Sequence, residues 1–234
     1  MKNLLFAALL GLAALPAAHA QSTQARPVPA FHAIKVGIGI ELTLSAGHSQ
    51  RVEVSASEAE FVNYIVTKVA DGVLTISYDN PNDRNGQQRS RRHAQLRASV
   101  TADQLTALTA GSGSSVKATG DIDADEFRLD ISSGASVKAD ITTATLAVRQ
   151  SSGSTLTLDG RATSLDVQVS SGATFDGHDL HTDRCHAQAS SGSSLRLDVK
   201  DDLVAEASSG AGISYSGSPQ LTKRVSSGAS VSRR

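Results

Sequence analysis

One short phrase returns seven times between residues 111 and 231 of this chain. The copies are Gly111-Ser112-Gly113-Ser114-Ser115-Val116, Ser132-Ser133-Gly134-Ala135-Ser136-Val137, Ser151-Ser152-Gly153-Ser154-Thr155-Leu156, Ser170-Ser171-Gly172-Ala173-Thr174-Phe175, Ser190-Ser191-Gly192-Ser193-Ser194-Leu195, Ser208-Ser209-Gly210-Ala211-Gly212-Ile213 and Ser226-Ser227-Gly228-Ala229-Ser230-Val231. Successive glycines stand 21, 19, 19, 20, 18 and 18 residues apart. A period this regular means one supersecondary unit stacked on itself, so repetition decides the fold.

The register within each copy identifies the unit. Three residues after each glycine stand Val116, Val137, Leu156, Phe175, Leu195, Ile213 and Val231. Seven before it, from the second copy on, stand Phe127, Leu146, Leu165, Cys185, Leu203 and Leu221. Five before it stand Leu108, Leu129, Val148, Val167, Ala187, Ala205 and Lys223, and three before it Ala110, Ile131, Gln150, Val169, Ala189, Ala207 and Val225. The residues between are mostly polar, and this period of two is the pattern of a strand with one buried face. Each coil therefore reads as a strand, a Ser-Ser-Gly turn, a second short strand and a corner of variable length. Gly113, Gly134, Gly153, Gly172, Gly192, Gly210 and Gly228 are the structural turn residues, since glycine takes positive φ without a Cβ clash. No helical segment separates the strands, and the leucine-rich repeat pattern is missing. The fold class expected is all-β: a parallel β-helix of 18–21-residue coils, right-handed by crossover chirality. Six intervals at about 4.8 Å give a rod on the order of 30 Å long. Small residues in the later coils imply a thinner core there. Thr106 breaks the pattern of the first copy, which marks a junction.

The first third of the chain lacks the phrase. Residues 1–20 read as a secretory signal: Lys2, an apolar run from Leu4 to Leu15, and Ala18-His19-Ala20 as a cleavage site. Residues 21–30 read as a linker. Residues 31–100 read as β-rich cap strands and a loop over the repeat coils of 101–234, because an open solenoid end is a bare sheet edge. Within this cap Asp71-Gly72 signals a hairpin, and residues 80–95 form a polar loop. At the far end little covers the last coil, which leaves an end-on homodimer open; the terminal Arg233 and Arg234 would discourage one.

This first third and the turns together resemble the bacterial head GIN domain family, described as putative auto-transporter adhesins. The resemblance rests on Phe31-His-Ala-Ile34-Lys-Val36 with Ile40-Glu-Leu42-Thr-Leu44, on Val52-Glu-Val54, Ile65 and Val69-Ala-Asp71-Gly72-Val-Leu74-Thr-Ile76, on the Ser-Ser-Gly turns, and on Ile213-Ser-Tyr215-Ser-Gly217-Ser-Pro219 as its closing motif. It covers residues 31–234. It implies a β-helix like that of pectin lyases, without recognised catalytic residues, and a role in adhesion.

Composition narrows the function. A formal net charge of −1 favours neither nucleic acid nor an anionic membrane. Aromatics are 3% with no Trp, which removes a stacking platform for sugars or bases. The single cysteine, Cys185, forms no intrachain disulfide and falls in an apolar column, so it reads as a small buried hydrophobe. No segment after residue 20 is long and apolar enough to span a bilayer.

Three clusters carry chemistry. His178, His181 and Asp183 offer ligands for Zn²⁺ or Cu²⁺, weighed against a solvated corner, which is preferred. Asp140, Asp159 and Asp198, each six residues after a turn glycine, could stack to hold Ca²⁺, but the GGxGxD pattern is absent and Asp is an ordinary turn residue. No metal or other cofactor is therefore assigned. Arg89, Arg91 and Arg92 form the densest basic run, a speculative binding loop for acidic polysaccharide or lipid phosphate, against the plain reading of a solvated loop. The leading expectation is an exported, non-enzymatic adhesion or cell-envelope binding module, periplasmic or at the cell surface, whose partner is a glycan or an envelope protein. The alternatives are a polysaccharide-active enzyme on a pectin-lyase-like β-helix and a structural rod in an envelope assembly.

Overall fold

The computed structural model describes residues 22–81 and 95–234. It is a β-solenoid of about 7 turns of ~19 residues. The middle of the rod is made of five long strands, β9 (Ser115–Ile131), β10 (Ser136–Gln150), β11 (Thr155–Val169), β12 (Thr174–Ala189) and β13 (Ser194–Ala207), each paired in parallel with the next. Every one runs unbroken from one Ser-Ser-Gly turn to the next.

The corner expected to interrupt each coil is thus not a loop. It bends within the strand and keeps its hydrogen-bonded pairing. In β10 the burial alternates strictly until Ala144 and Thr145, two successive outward residues, and then resumes with Leu146 inside. That slip of phase turns the chain from one face to the other while Thr143 stays paired with Ala162 and Thr145 with Ser164. The unequal repeat lengths are absorbed as irregularities of pairing. β9 spends Lys117 to Asp121 where β10 spends only Lys138 to Asp140, which yields the interval of 21. β12 spends Gly177 to His181 opposite Leu197 and Asp198 of β13. Such bulges re-aim side chains, and these ones produce the clusters described below.

The turns share one geometry. In all seven the residue before the glycine is a serine with φ between 51° and 56°, and the glycine has φ between 65° and 72°. Two central residues at positive φ define a type I′ turn, closed by a bond such as Ala135 N–H to Ser132 O at 3.1 Å. The turns also stack: Gly134 N–H donates to Ser152 O at 3.0 Å, and Gly153 N–H to Ser171 O at 3.0 Å. The residue after each glycine points inward and must be small, as the buried Ser114, Ala135, Ser154, Ala173, Ser193 and Ala211 are. Where it is serine its hydroxyl can bond a carbonyl of the preceding coil, as Ser193 Oγ does to Val169 O at 2.9 Å. Gln150, buried among apolar neighbours, is held through Nε2 by Ser154 O at 2.9 Å and Thr174 O at 2.7 Å.

The first third adds coils as well as a cap. β1 (Ser22–Ala25), β2 (Ala33–Val36), β3 (Glu41–Ala46), β4 (Arg51–Ala56), the single helical turn α1 (Ala59–Val62), β5 (Ile65–Ala70), β6 (Val73–Tyr78), β7 (Leu96–Ala102) and β8 (Ala107–Ala110) precede β9. β2 pairs in parallel with β8, and β3 with β9, so β2 and β3 form a full coil directly beneath the first phrase. Its turn, Gly37-Ile38-Gly39-Ile40, reproduces the same geometry, with Ile38 at φ 58° and Gly39 at φ 66°; Gly39 N–H donates to Ser112 O at 3.0 Å. β6 and β7 stack in parallel on β2 and β3. Capping falls to the antiparallel strands: β5 on β6, β4 on β7, and β1 on β4. Residues 22–25, expected within a linker, are therefore a strand of the cap. Arg26 fixes this segment by donating from Nη2 to Val62 O at 2.8 Å. The Asp71-Gly72 hairpin joins β5 to β6 as its sequence predicts.

At the other end β14 (Gly212–Ser216) pairs with β13 and with β16 (Ser230–Arg233), and β15 (Gln220–Val225) pairs with β13. Among the described residues the outer edges of β15 and β16 have no further strand. Lys223 occupies the inward column filled by Val167, Ala187 and Ala205 in earlier coils. With Arg224, Arg233 and Arg234 it makes this end cationic. An inward-pointing charge at an exposed edge opposes edge-to-edge stacking. We expect Lys223→Leu to raise the proportion of end-on dimers over the parent in sedimentation-velocity runs at matched concentration. A variant that sediments like the parent would show that Lys223 is not the barrier.

Candidate functional site

Because the coils pair in register, outward residues form columns along the rod. One column runs Thr109, Asp130, Arg149, Gln168, Gln188, Glu206 and Arg224. Beside it the first serines of the turns, such as Ser151, Ser170 and Ser190, form a second, half-buried column. Together they line a groove of about 780 Å³ that follows the rod axis. The strands supply its floor and the stacked type I′ turns its wall.

The charges on the floor compensate one another. Asp130 takes a two-point bond from Arg128, at 2.7 and 3.3 Å. Glu206 accepts from Arg224 at 3.2 Å and from Gln188 at 3.3 Å. The two carboxylates stand four coil steps apart in the register, or about 19 Å at the spacing of paired strands. Glycoside hydrolysis needs a carboxyl pair within about 5–9.5 Å. The groove thus places no such pair on its floor.

The corner side of the rod carries the clusters that the sequence singles out. The bulge in β12 projects His178 and His181, but to separate partners. His178 lies 2.9 Å from Asp176 and 2.9 Å from Asp179, His181 Nδ1 lies 2.5 Å from Asp198, and Asp183 pairs with Arg161 at 3.4 Å. The structure does not bring His178, His181 and Asp183 together. Among the described residues no group of three His, Cys, Asp or Glu side chains is arranged to hold a metal ion. Asp140 and Asp159 do stack, and the column extends to Asp121 and Asp179. Asp198 is not on it: the longer path of β12 through Gly177 to His181 places Asp198 opposite His181, with Ser216 Oγ donating to it at 2.7 Å. Arg89, Arg91 and Arg92 lie outside the described residues, as does the segment 1–20. Cys185 is buried between Leu165 and Leu203, as expected, and burial pushes its thiol well above the ordinary range. The repeat glycines face open space, and a Cβ on Gly134, Gly153 or Gly172 would meet nothing within 4 Å. Their role is the turn itself.

The groove escaped sequence reading although every residue of it was visible. Its signal was the polar column four residues before each glycine. That column shows no single residue type to draw attention, and its line becomes a groove only through stacking.

This architecture has relatives. The family model "Putative auto-transporter adhesin, head GIN domain" matches residues 30–219. The chain belongs to that family. The match spans β2 to β14 with the turn to Pro219, and β1, β15 and β16 lie outside it. No functionally curated protein matches the sequence. Among solved structures, a "putative adhesin" from Bacteroides fragilis NCTC 9343 superposes with a TM-score of 0.77 at 16% identity, covering 92% of this chain and 97% of that one. Another from Parabacteroides merdae ATCC 43184 gives 0.69 at 17% identity, covering 91% and 95%. A "putative lipid binding protein" from Parabacteroides distasonis ATCC 8503 gives 0.69 at 13% identity, covering 91% and 96%. At these identities the likeness is one of fold. No helix among the described residues is long and apolar enough to cross a membrane.

Proposed function

We propose that this head GIN domain is an exported, non-enzymatic binding module that attaches to a cell surface or to the cell envelope. The observation that carries the reading is the long groove, built from two outward columns of the repeat coils, whose two floor carboxylates stand too far apart for paired acid–base work. A surface of this kind offers many weak polar contacts at regular spacing, which suits attachment to an extended ligand. A catalytic pocket instead concentrates a few perturbed groups at one point. The adhesin description of the family supports the same reading, and the apolar, A-x-A-terminated segment 1–20 supports export.

The test is twofold. Fluorescently labelled protein is incubated with intact bacterial cells and with isolated envelopes, and retention is measured by flow cytometry and sedimentation. In parallel, soluble polysaccharides are assayed for new reducing or unsaturated ends. Saturable retention without new ends is the expected result. New ends would overturn the non-enzymatic reading, and absence of retention would overturn attachment.

A further inference from the structure

The groove also carries information about what lies in it. Its central floor is made of Arg149, Gln168 and Gln188 on three successive coils, in register. Arg149 forms no ion pair among the described residues, and Gln168 makes no side-chain hydrogen bond there. Both are therefore available to a ligand. The outer parts of the floor are internally neutralised by Arg128 with Asp130 and by Arg224 with Glu206. With Arg128 paired to Asp130 and Arg224 to Glu206, the floor keeps one uncompensated charge, Arg149, too little to recruit a polyanion. Its wall is a column of serine hydroxyls one strand spacing apart.

Each group here, amide or hydroxyl, both donates and accepts. That is the complement of a surface bearing alternating hydroxyls. A guanidinium fork beside an amide can hold two neighbouring hydroxyls at once. A volume of about 780 Å³, drawn out along seven coils, suits a chain of small repeating units lying along the axis. The absence of Trp excludes a binding mode that relies on tryptophan stacking, so hydrogen bonds must supply the specificity.

We infer that the groove binds a linear, uncharged polysaccharide along the rod axis, with Gln168 and Gln188 as its central contacts and Arg149 beside them. This rests on the binding-module reading and names its ligand class.

Isothermal titration calorimetry of the full chain with neutral linear gluco-, manno- and xylo-oligosaccharides of increasing length tests it. Polygalacturonate serves as the acidic comparison. Affinity for at least one neutral series should rise with length and then level off once the oligosaccharide spans the groove. It should change little with salt, since no counterions are released. Gln168→Ala and Gln188→Ala should each weaken binding about tenfold, the loss expected for one or two hydrogen bonds, while leaving the melting temperature in place. Thr157→Ala, on the strand stretch beyond the turn, should leave binding unchanged. Binding independent of length, binding confined to polygalacturonate with a steep salt dependence, or variants that bind like the parent would each overturn the inference. Its failure is separable from that of the function itself: labelled protein retained on cells, with no neutral series bound, removes the ligand class and keeps attachment.

Discussion

Gly160→Ala is expected to lower the melting temperature by about 6–12 °C, whereas Gly153→Ala, seven residues away, should lower it by about a third to two-thirds as much. Gly160 lies in β11 at φ 108°, opposite Ile141 of the coil below. A Cβ there would press into the carbonyl oxygen of Ile141 and stand 2.6 Å from Asp140 Oδ1. Backbone of a paired strand cannot step aside without breaking the ladder above and below. Strained φ plus this clash amounts to about 3 kcal/mol, and a chain of this size loses about 2–4 °C per kcal/mol. Gly153 belongs to the conspicuous phrase, yet an added Cβ meets nothing within 4 Å. Only the cost of left-handed φ remains, about 1–2 kcal/mol, and Ser152 beside it already adopts φ 56°. Thermal unfolding of the two variants side by side decides the matter. Equal shifts would mean that the turns, not the stacked strands, limit stability.

Phe175→Ala should be the most damaging core substitution in the later coils, at about 3–5 kcal/mol. Phe175 is fully buried and stacks between Leu156 and Leu195. Its ring needs more room than theirs, and Gly177 supplies it. A Cβ on Gly177 would lie 2.7 Å from Cε1 and 3.0 Å from Cζ of Phe175. The neighbouring coil carries Leu197 opposite Gly177, so volume has been exchanged between two inward positions of one strand. Gly177→Ala alone should therefore destabilise, and it should be tolerated once Phe175→Leu has removed the ring. A double-mutant cycle in denaturant should show a coupling of about 1 kcal/mol or more, as expected for residues in contact. Additive effects would refute the exchange.

These two cases show how the sequence spoke. Glycines at a fixed interval announced the solenoid, and the alternating residues around them named the buried columns, because period-2 patterning survives translation from coil to coil. Gly160 and Gly177 gave no such signal. Their constraint comes from one particular contact with the next coil, which is not periodic. Ile38-Gly39 likewise escaped notice. Its coil is separated in sequence from its stacking partner by β4 to β7, of which β6 and β7 stack on its opposite side, so chain order and stacking order differ. No periodicity analysis can see a repeat unit displaced in this way.

The candidate site divides along the same line. Asp159 above Asp140 follows from spacing alone, as does the inward place of Cys185, whereas Asp121, eight residues after its glycine, joins the column only through the bulge of β9. The separation of Asp198 from that column does not follow from spacing either. It depends on where the surplus residues of β12 bulge, between Gly177 and His181. The sequence by itself determined the coil, the inward columns and the outward ones, since hydrophobic burial and strand geometry act within each repeat. Only the tertiary structure decided which outward columns face each other across a groove and which histidine meets which carboxylate. Those are relations between coils, set by register and bulges, and they exist only after the coils have stacked.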